Sequence, residues 1–215
     1  MSPSPEQPAY RDTEVLRAEF ATRGAAIRQR LDDFASVSPG EYFYELVYCL
    51  LTPQSSAVNA LKAVDALKRA DLFNREVSAA HVLGNRAHYI RFHNTKARHL
   101  ADAKAAYPAI ETQIGSGMQG GELRAWLVTN VRGLGWKEAS HFLRNIGFRN
   151  LAILDRHILR NLKRHGVIRS LPATLTPRRY LAIEQRFHAF AAATGITMDE
   201  LDLLFWSRET GSILK

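Results

Sequence analysis

Cysteine is nearly absent: Cys49 is the only one among 215 residues. No intramolecular disulfide can form, and no cysteine-built zinc or iron–sulfur site is available. Set among Leu46, Val47, Leu50 and Leu51, Cys49 reads as a buried core residue. Long apolar runs are missing as well. Nothing approaches the roughly 18 consecutive apolar residues of a membrane span, and the N-terminus lacks a secretory signal, so the chain is expected to be intracellular. No stretch sustains the alternation of a β-strand and no internal repeat is evident, which leaves an all-α fold of nine or ten helices. Acidic residues are the scarcer charge, 21 against 29 Lys plus Arg, giving a formal net charge of +8. That balance favours a polyanionic partner.

What is present is enough for a sizeable core, with 46% hydrophobic residues in a length that suits one or two small domains. Residues 1–12 form a proline-rich polar tail. A first helix is expected from about Glu14 to Phe34, where Leu16, Phe20, Ile27, Leu31 and Phe34 recur at helical spacing. Ser38-Pro39-Gly40-Glu41 reads as a capping box that opens an almost wholly apolar helix running to Leu51. Thr52-Pro53-Gln54-Ser55-Ser56 then forms a turn and an N-cap for the next helix.

Arg91 to Lys96 interleaves basic and aromatic residues before an alanine-rich helix, Ala97 to Tyr107. Asn94 or Thr95 can cap that helix while Phe92 packs into the core. Alternatively Phe92, or less readily His93, is one face of a pocket that stacks on an extruded base. Ile114 to Gly121 reads as a glycine-rich connector. Further on, Thr176-Pro177 opens a helix that ends at Gly195, and Thr197 to Glu200 is a second capping box for a helix closed by Gly211.

The most informative stretch is Asn130 to Gly147, NVRGLGWKEASHFLRNIG. Two amphipathic helices flank the turn Gly133-Leu134-Gly135, whose glycines permit positive φ and close approach of the backbone to another molecule. Backbone N–H groups at the start of the second helix form an anion site, and the natural anion is a nucleic-acid phosphate. Lys137 falls in the first turn of that helix, where the dipole disfavours a cation. It is either a solvated lysine beside Glu138 or a nucleophilic amine. Asp155 follows 18 positions later and can cap the helix from Arg156 to His165. Arg156, Arg160, Lys163 and Arg164 make that helix basic, as a solvated face or as a phosphate-facing one.

GLGWKEASHFLRNIG followed by AILDRHILRNL resembles the helix-hairpin-helix DNA glycosylase superfamily. LLTPQSS, RFHNTKA, LFWSRETG and the terminal lysine are similar to the archaeal-type 8-oxoguanine DNA glycosylase/lyase family, over about Glu41 to Lys215. The superfamily often has a Gly/Pro-rich segment before its aspartate, whereas FRNLAIL here has neither residue.

The resemblance implies two helical subdomains flanking a DNA-binding cleft, 41–150 ending in the hairpin and 1–40 with 151–215 carrying the aspartate and the tail. It implies Lys137 and Asp155 as catalytic residues facing that cleft, with excision of 8-oxoguanine followed by cleavage of the resulting abasic site by β-elimination through a Schiff base on Lys137. Gln54 would enter the duplex where the damaged nucleotide has left. Trp206 would stack on the base, and Lys215 would help distinguish 8-oxoguanine from guanine. Gly133, Gly135 and Arg156 complete the expected DNA contacts. No metal or organic cofactor is expected, the partner is double-stranded DNA containing 8-oxoguanine, and the chain is expected to be a monomer. The remaining alternatives are a monofunctional or different-base glycosylase, a noncatalytic helix-hairpin-helix DNA-binding module and, less readily, an RNA-binding structural protein.

Overall fold

The computed structural model describes residues 10–211 and Ile213. Among them the regular structure is entirely helical. Ten α-helices follow in chain order: α1 (Thr13–Ala35), α2 (Tyr42–Leu51), α3 (Ala57–Arg69), α4 (Ala79–Leu83), α5 (His93–Gly115), α6 (Gly120–Asn130), α7 (Trp136–Asn145), α8 (Arg156–Arg164), α9 (Pro177–Thr194) and α10 (Met198–Thr210). Short 3₁₀ turns cover Pro39–Glu41 and Arg86–His88. The chain divides into two compact units, Phe34–Arg149 and Met1–Asp33 with Asn150–Lys215. No described helix is long and apolar enough to cross a membrane.

The unit Phe34–Arg149 is built around α2. Phe43, Leu46, Val47, Tyr48, Cys49, Leu50 and Leu51 are all buried, so this helix is apolar on every side and packs against α3, α5 and α7. Burying each such large side chain contributes roughly 1.5–3 kcal/mol. The one acidic residue in α2, Glu45, is also buried and accepts a hydrogen bond from Asn145 Nδ2 at 3.0 Å. Arg144 Nε donates to Asn145 Oδ1 at 3.1 Å, and its guanidinium lies 4.5 Å from the centre of the Phe34 ring. The end of α7 is thereby tied to the central helix by a buried polar chain in which each group named is bonded.

Two local expectations do not hold. The capping box at Ser38 does not form: its side chain makes no cap bond, Pro39–Glu41 is a 3₁₀ turn, and the helix starts at Tyr42. Glu41 is drawn instead to Lys68 Nζ on α3, at 2.6 Å. The alanine-rich helix starts four residues before Ala97, at His93, and runs on through Pro108 to Gly115, which shortens the expected connector before α6.

In the other unit, α8 and α9 each pack against α10. Gly195 and Gly211 end α9 and α10 in the left-handed conformation, at φ 72° and 75°. Thr197 and Glu200 form the full capping box of α10. His165, which caps the end of α8, is stacked between the rings of Phe190 and Phe205. Its Nδ1 lies 2.8 Å from the Arg11 carbonyl and its Nε2 lies 3.3 Å from Arg208 Nη1. Those partners fit a neutral ring that donates from Nδ1 and accepts at Nε2. Burial holds the His165 pKa below the usual histidine value; Arg208 and Arg164 push the same way, and the Arg11 carbonyl opposes them.

Candidate active site

α6, the turn after it and α7 form the hairpin that the sequence indicates. Arg124 of α6 is buried, donates to Ser140 Oγ of α7 at 3.1 Å, and sits 4.9 Å from the Trp136 ring centre. The two helices are fixed as one piece, which gives the turn a defined shape. Its glycines differ in role. Gly133 has φ +87°, and a Cβ placed there would lie 2.3 Å from His99 Nδ1. Gly135, at φ −86° and ψ 178°, is ordinary extended backbone that serves as the N-cap of α7, so only one of the two uses the left-handed region.

Lys137 is half-buried in the first turn of α7, with Nζ 3.1 Å from Glu138 Oε1. The neighbour expected for a solvated lysine is present, but the amine is partly withdrawn from solvent. Within range of its charge is Lys96 of α5, a residue to which sequence reasoning gave no role. Its side chain is buried, and Nζ donates to Leu51 O at 2.6 Å, Pro53 O at 2.7 Å and Ser55 Oγ at 3.1 Å. Burial lowers the Lys96 pKa to about 8, with the charge of Lys137 acting in the same direction and Glu138 against it. The signal for Lys96 was in the sequence: with Leu100, Ala103, Tyr107 and Ile110 it completes the buried stripe of α5. A lysine in an apolar stripe needs internal partners.

Gln54 and Phe92 occupy the two turns next to Lys96. Among the described residues five that are not glycine have positive φ: Asp12, Asp71 and Asn150, of the types that adopt it most readily, and Gln54 (55°) and Phe92 (60°). Gln54 is exposed. Phe92 precedes α5 at 49% exposure with the Arg91 guanidinium 4.7 Å from its ring centre, so neither Asn94 nor Thr95 is the cap and Phe92 does not pack into the core. An aromatic face is presented outward there, at the cost of a strained backbone.

The other unit holds Asp155. Residues 151–154 are buried without being helical, so side chains of α9 satisfy their backbone: Glu184 Oε2 accepts from Ala152 N at 2.7 Å, and Tyr180 OH donates to Ala152 O and accepts from Leu154 N at 3.2 Å. This clamp takes the place of a Gly/Pro-rich segment. Asp155 then caps α8, its Oδ1 accepting from His157 N at 2.7 Å and Ile158 N at 2.8 Å. Both cap bonds go to one oxygen, and Oδ2 takes no part in the cap.

His157 is a second residue that sequence reasoning missed. Its ring meets Trp206 edge-on at 5.3 Å, Nδ1 lies 3.1 Å from Glu209 Oε2, and Nε2 accepts from Arg156 Nε at 3.1 Å. The structure thus gathers Asp155, Arg156 and Trp206 about one histidine. Lys96 in turn is bonded to both residues flanking Gln54 and to the Phe92 carbonyl, and it feels the charge of Lys137. Lys215 lies outside the described residues. Among those described, no group of three His, Cys, Asp or Glu side chains could hold a metal.

Residues 27–196 match the family described as 8-oxoguanine DNA glycosylase. The chain is 40% identical to the 8-oxoguanine DNA glycosylase/AP lyase of Fusobacterium nucleatum, covering 96% of this chain and 97% of that one. It is 39% identical to the protein of the same name from Korarchaeum cryptofilum, covering 94% and 96%. The crystal structure of the 8-oxoguanine DNA glycosylase of Thermotoga maritima superposes with a TM-score of 0.84 at 30% identity, covering 94% and 98%. The Methanocaldococcus jannaschii 8-oxoguanine glycosylase/lyase in complex with a 15mer DNA containing 8-oxoguanine superposes with a TM-score of 0.83 at 31% identity, covering 94% and 100%. A hairpin with an amine on its second helix, an aspartate capping α8 and likeness along nearly the whole chain lead to one conclusion: this protein belongs to the 8-oxoguanine DNA glycosylase family.

Proposed function

We propose that this chain excises 8-oxoguanine from duplex DNA and then cleaves the resulting abasic strand, with Lys137 as nucleophile and Asp155 as its carboxylate partner. The damaged nucleotide must leave the stack before its sugar can be reached, at a cost of a few kcal/mol. Gln54 fills the vacancy, Phe92 and Trp206 offer faces to the extruded base, and Lys215 separates 8-oxoguanine from guanine. The hairpin amides at Gly133 and Gly135, with Arg156, hold the phosphates.

Breaking the N-glycosidic bond sends its electron pair to the departing base and leaves oxocarbenium character on the sugar, which Asp155 Oδ2 stabilises. Lys137 passes a proton by way of Asp155 to the departing base as its Nζ bonds to C1′. Ring opening moves the remaining Nζ proton to O4′ and gives an imine; water takes a C2′ proton, and the C3′–O bond breaks with the 3′ phosphate leaving with its electron pair. No step calls for a metal or an organic cofactor. The enzyme is taken to act as a monomer, on DNA inside the cell.

What supports this reading is that a partly shielded first-turn amine, and an aspartate whose cap bonds use a single oxygen, both occur in a chain 40% identical to an 8-oxoguanine DNA glycosylase/AP lyase. The substitution Asp155→Asn separates its two duties, since asparagine caps a helix as well as aspartate does. Base release is expected to fall by about 10²–10³-fold, the usual cost of removing a charge-stabilising group, while thermal stability stays near that of the unaltered chain. Full activity in Asp155→Asn would leave Asp155 as a cap alone.

A further inference from the structure

The geometry points to Lys96 as a positioning residue that sets Gln54 and Phe92 in place together. This rests on the proposed activity. An ammonium carries three donors and no acceptor, and all three are used: on the Leu51 carbonyl at the end of α2, the Pro53 carbonyl just before Gln54, and Ser55 Oγ just after it. Ser55 Oγ also accepts from the backbone N–H of Arg91 at 3.1 Å, which joins the Gln54 turn to the segment leading into Phe92. The backbone N–H of Lys96 donates to the Phe92 carbonyl at 2.9 Å.

The two strained residues, at φ 55° and 60°, are therefore linked through the same lysine and the same hydroxyl. A left-handed glutamine and a left-handed phenylalanine persist only where their surroundings over-determine them. Lys96 and Ser55 supply that constraint for both. Filling the vacancy and stacking on the extruded base would then be coupled, because the turns that perform them cannot shift independently.

Lys96→Met and Ser55→Ala would be compared with the unaltered chain on two duplexes, one carrying 8-oxoguanine and one a preformed abasic site. Cleaving the abasic strand needs Lys137 but has no base to extrude or stack. Lys96→Met is expected to slow 8-oxoguanine release by about a hundredfold, the scale of loss from a displaced positioning group, while cleaving the abasic strand near the unaltered rate. Ser55→Ala should show the same split, more weakly. Equal losses on both duplexes would make Lys96 a packing residue only, and no loss on either would remove its role; both results overturn the inference. If Lys96→Met does not fold, Ser55→Ala decides alone. A failure of the unaltered chain to release 8-oxoguanine would overturn the activity reading and this inference with it, a result distinct from an active parent with unsplit variants.

Discussion

Gly133 and Gly135 look equivalent in the sequence and are not. Gly133 sits at φ +87° with the His99 ring against the place a Cβ would occupy, whereas Gly135 is extended and a Cβ there would meet only the Glu138 carboxylate, at 2.9 Å. Gly133→Ala must both adopt a left-handed backbone, at about 1–2 kcal/mol, and displace His99. Gly135→Ala requires only that a flexible side chain move. Thermal unfolding and DNA titration should show Gly133→Ala clearly destabilised and weakened in binding, with Gly135→Ala close to the unaltered chain. Equal behaviour would mean that the turn does not depend on Gly133's conformation. The same contrast marks the limit of local sequence reading. A glycine pair announces a turn, but which member needs positive φ depends on a histidine 34 positions away.

α8 is capped at both ends, by Asp155 where it starts and by His165 where it stops. Its C-terminal cap, His165, lies between Phe190 and Phe205 with both ring nitrogens occupied, and burial keeps its pKa below the ordinary value. Below pH about 6.5 the unfolded chain takes up a proton on this residue that the folded chain resists, so stability falls as pH drops from that point. The loss levels off once the pH is below the folded value. Unfolding midpoints measured from pH 8 to 5 should show this decline, and it should be diminished in His165→Gln even though that variant starts lower. An unchanged slope would place the acid sensitivity elsewhere.

The N-terminal end of α8 shows what was legible and what was not. Asp155 as a cap follows from residue type and position, and α7, α9 and α10 follow from apolar spacing and their opening residues. The clamp on 151–154 by Tyr180 and Glu184 comes from α9, more than twenty residues on, so nothing local announced it. The capping box at Ser38 failed for a similar reason, because Lys68 offers Glu41 a better partner. The start of α5 was misplaced because Phe92 adopts a conformation that phenylalanine disfavours.

For the molecule as a whole, the excess of eight positive charges governs how it meets DNA. Affinity should fall steeply with added salt as phosphate contacts release counterions. Arg156→Ala is expected to lower the slope of log affinity against log salt by about one, if its guanidinium meets one phosphate; an unchanged slope would return it to the solvated face of α8. The all-helical class and the hairpin were readable from composition and spacing. Lys96 and His157, each in contact with site residues of its own unit, were not assigned, because their importance lies in contacts between distant segments.

During base removal the amine of Lys137 is expected to bond covalently to the sugar. Reducing the reaction with borohydride on duplex DNA containing 8-oxoguanine captures that bond. A stable protein–DNA adduct should form and be lost in Lys137→Gln; release of 8-oxoguanine with no adduct, or an adduct that persists in Lys137→Gln, would rule the bond out.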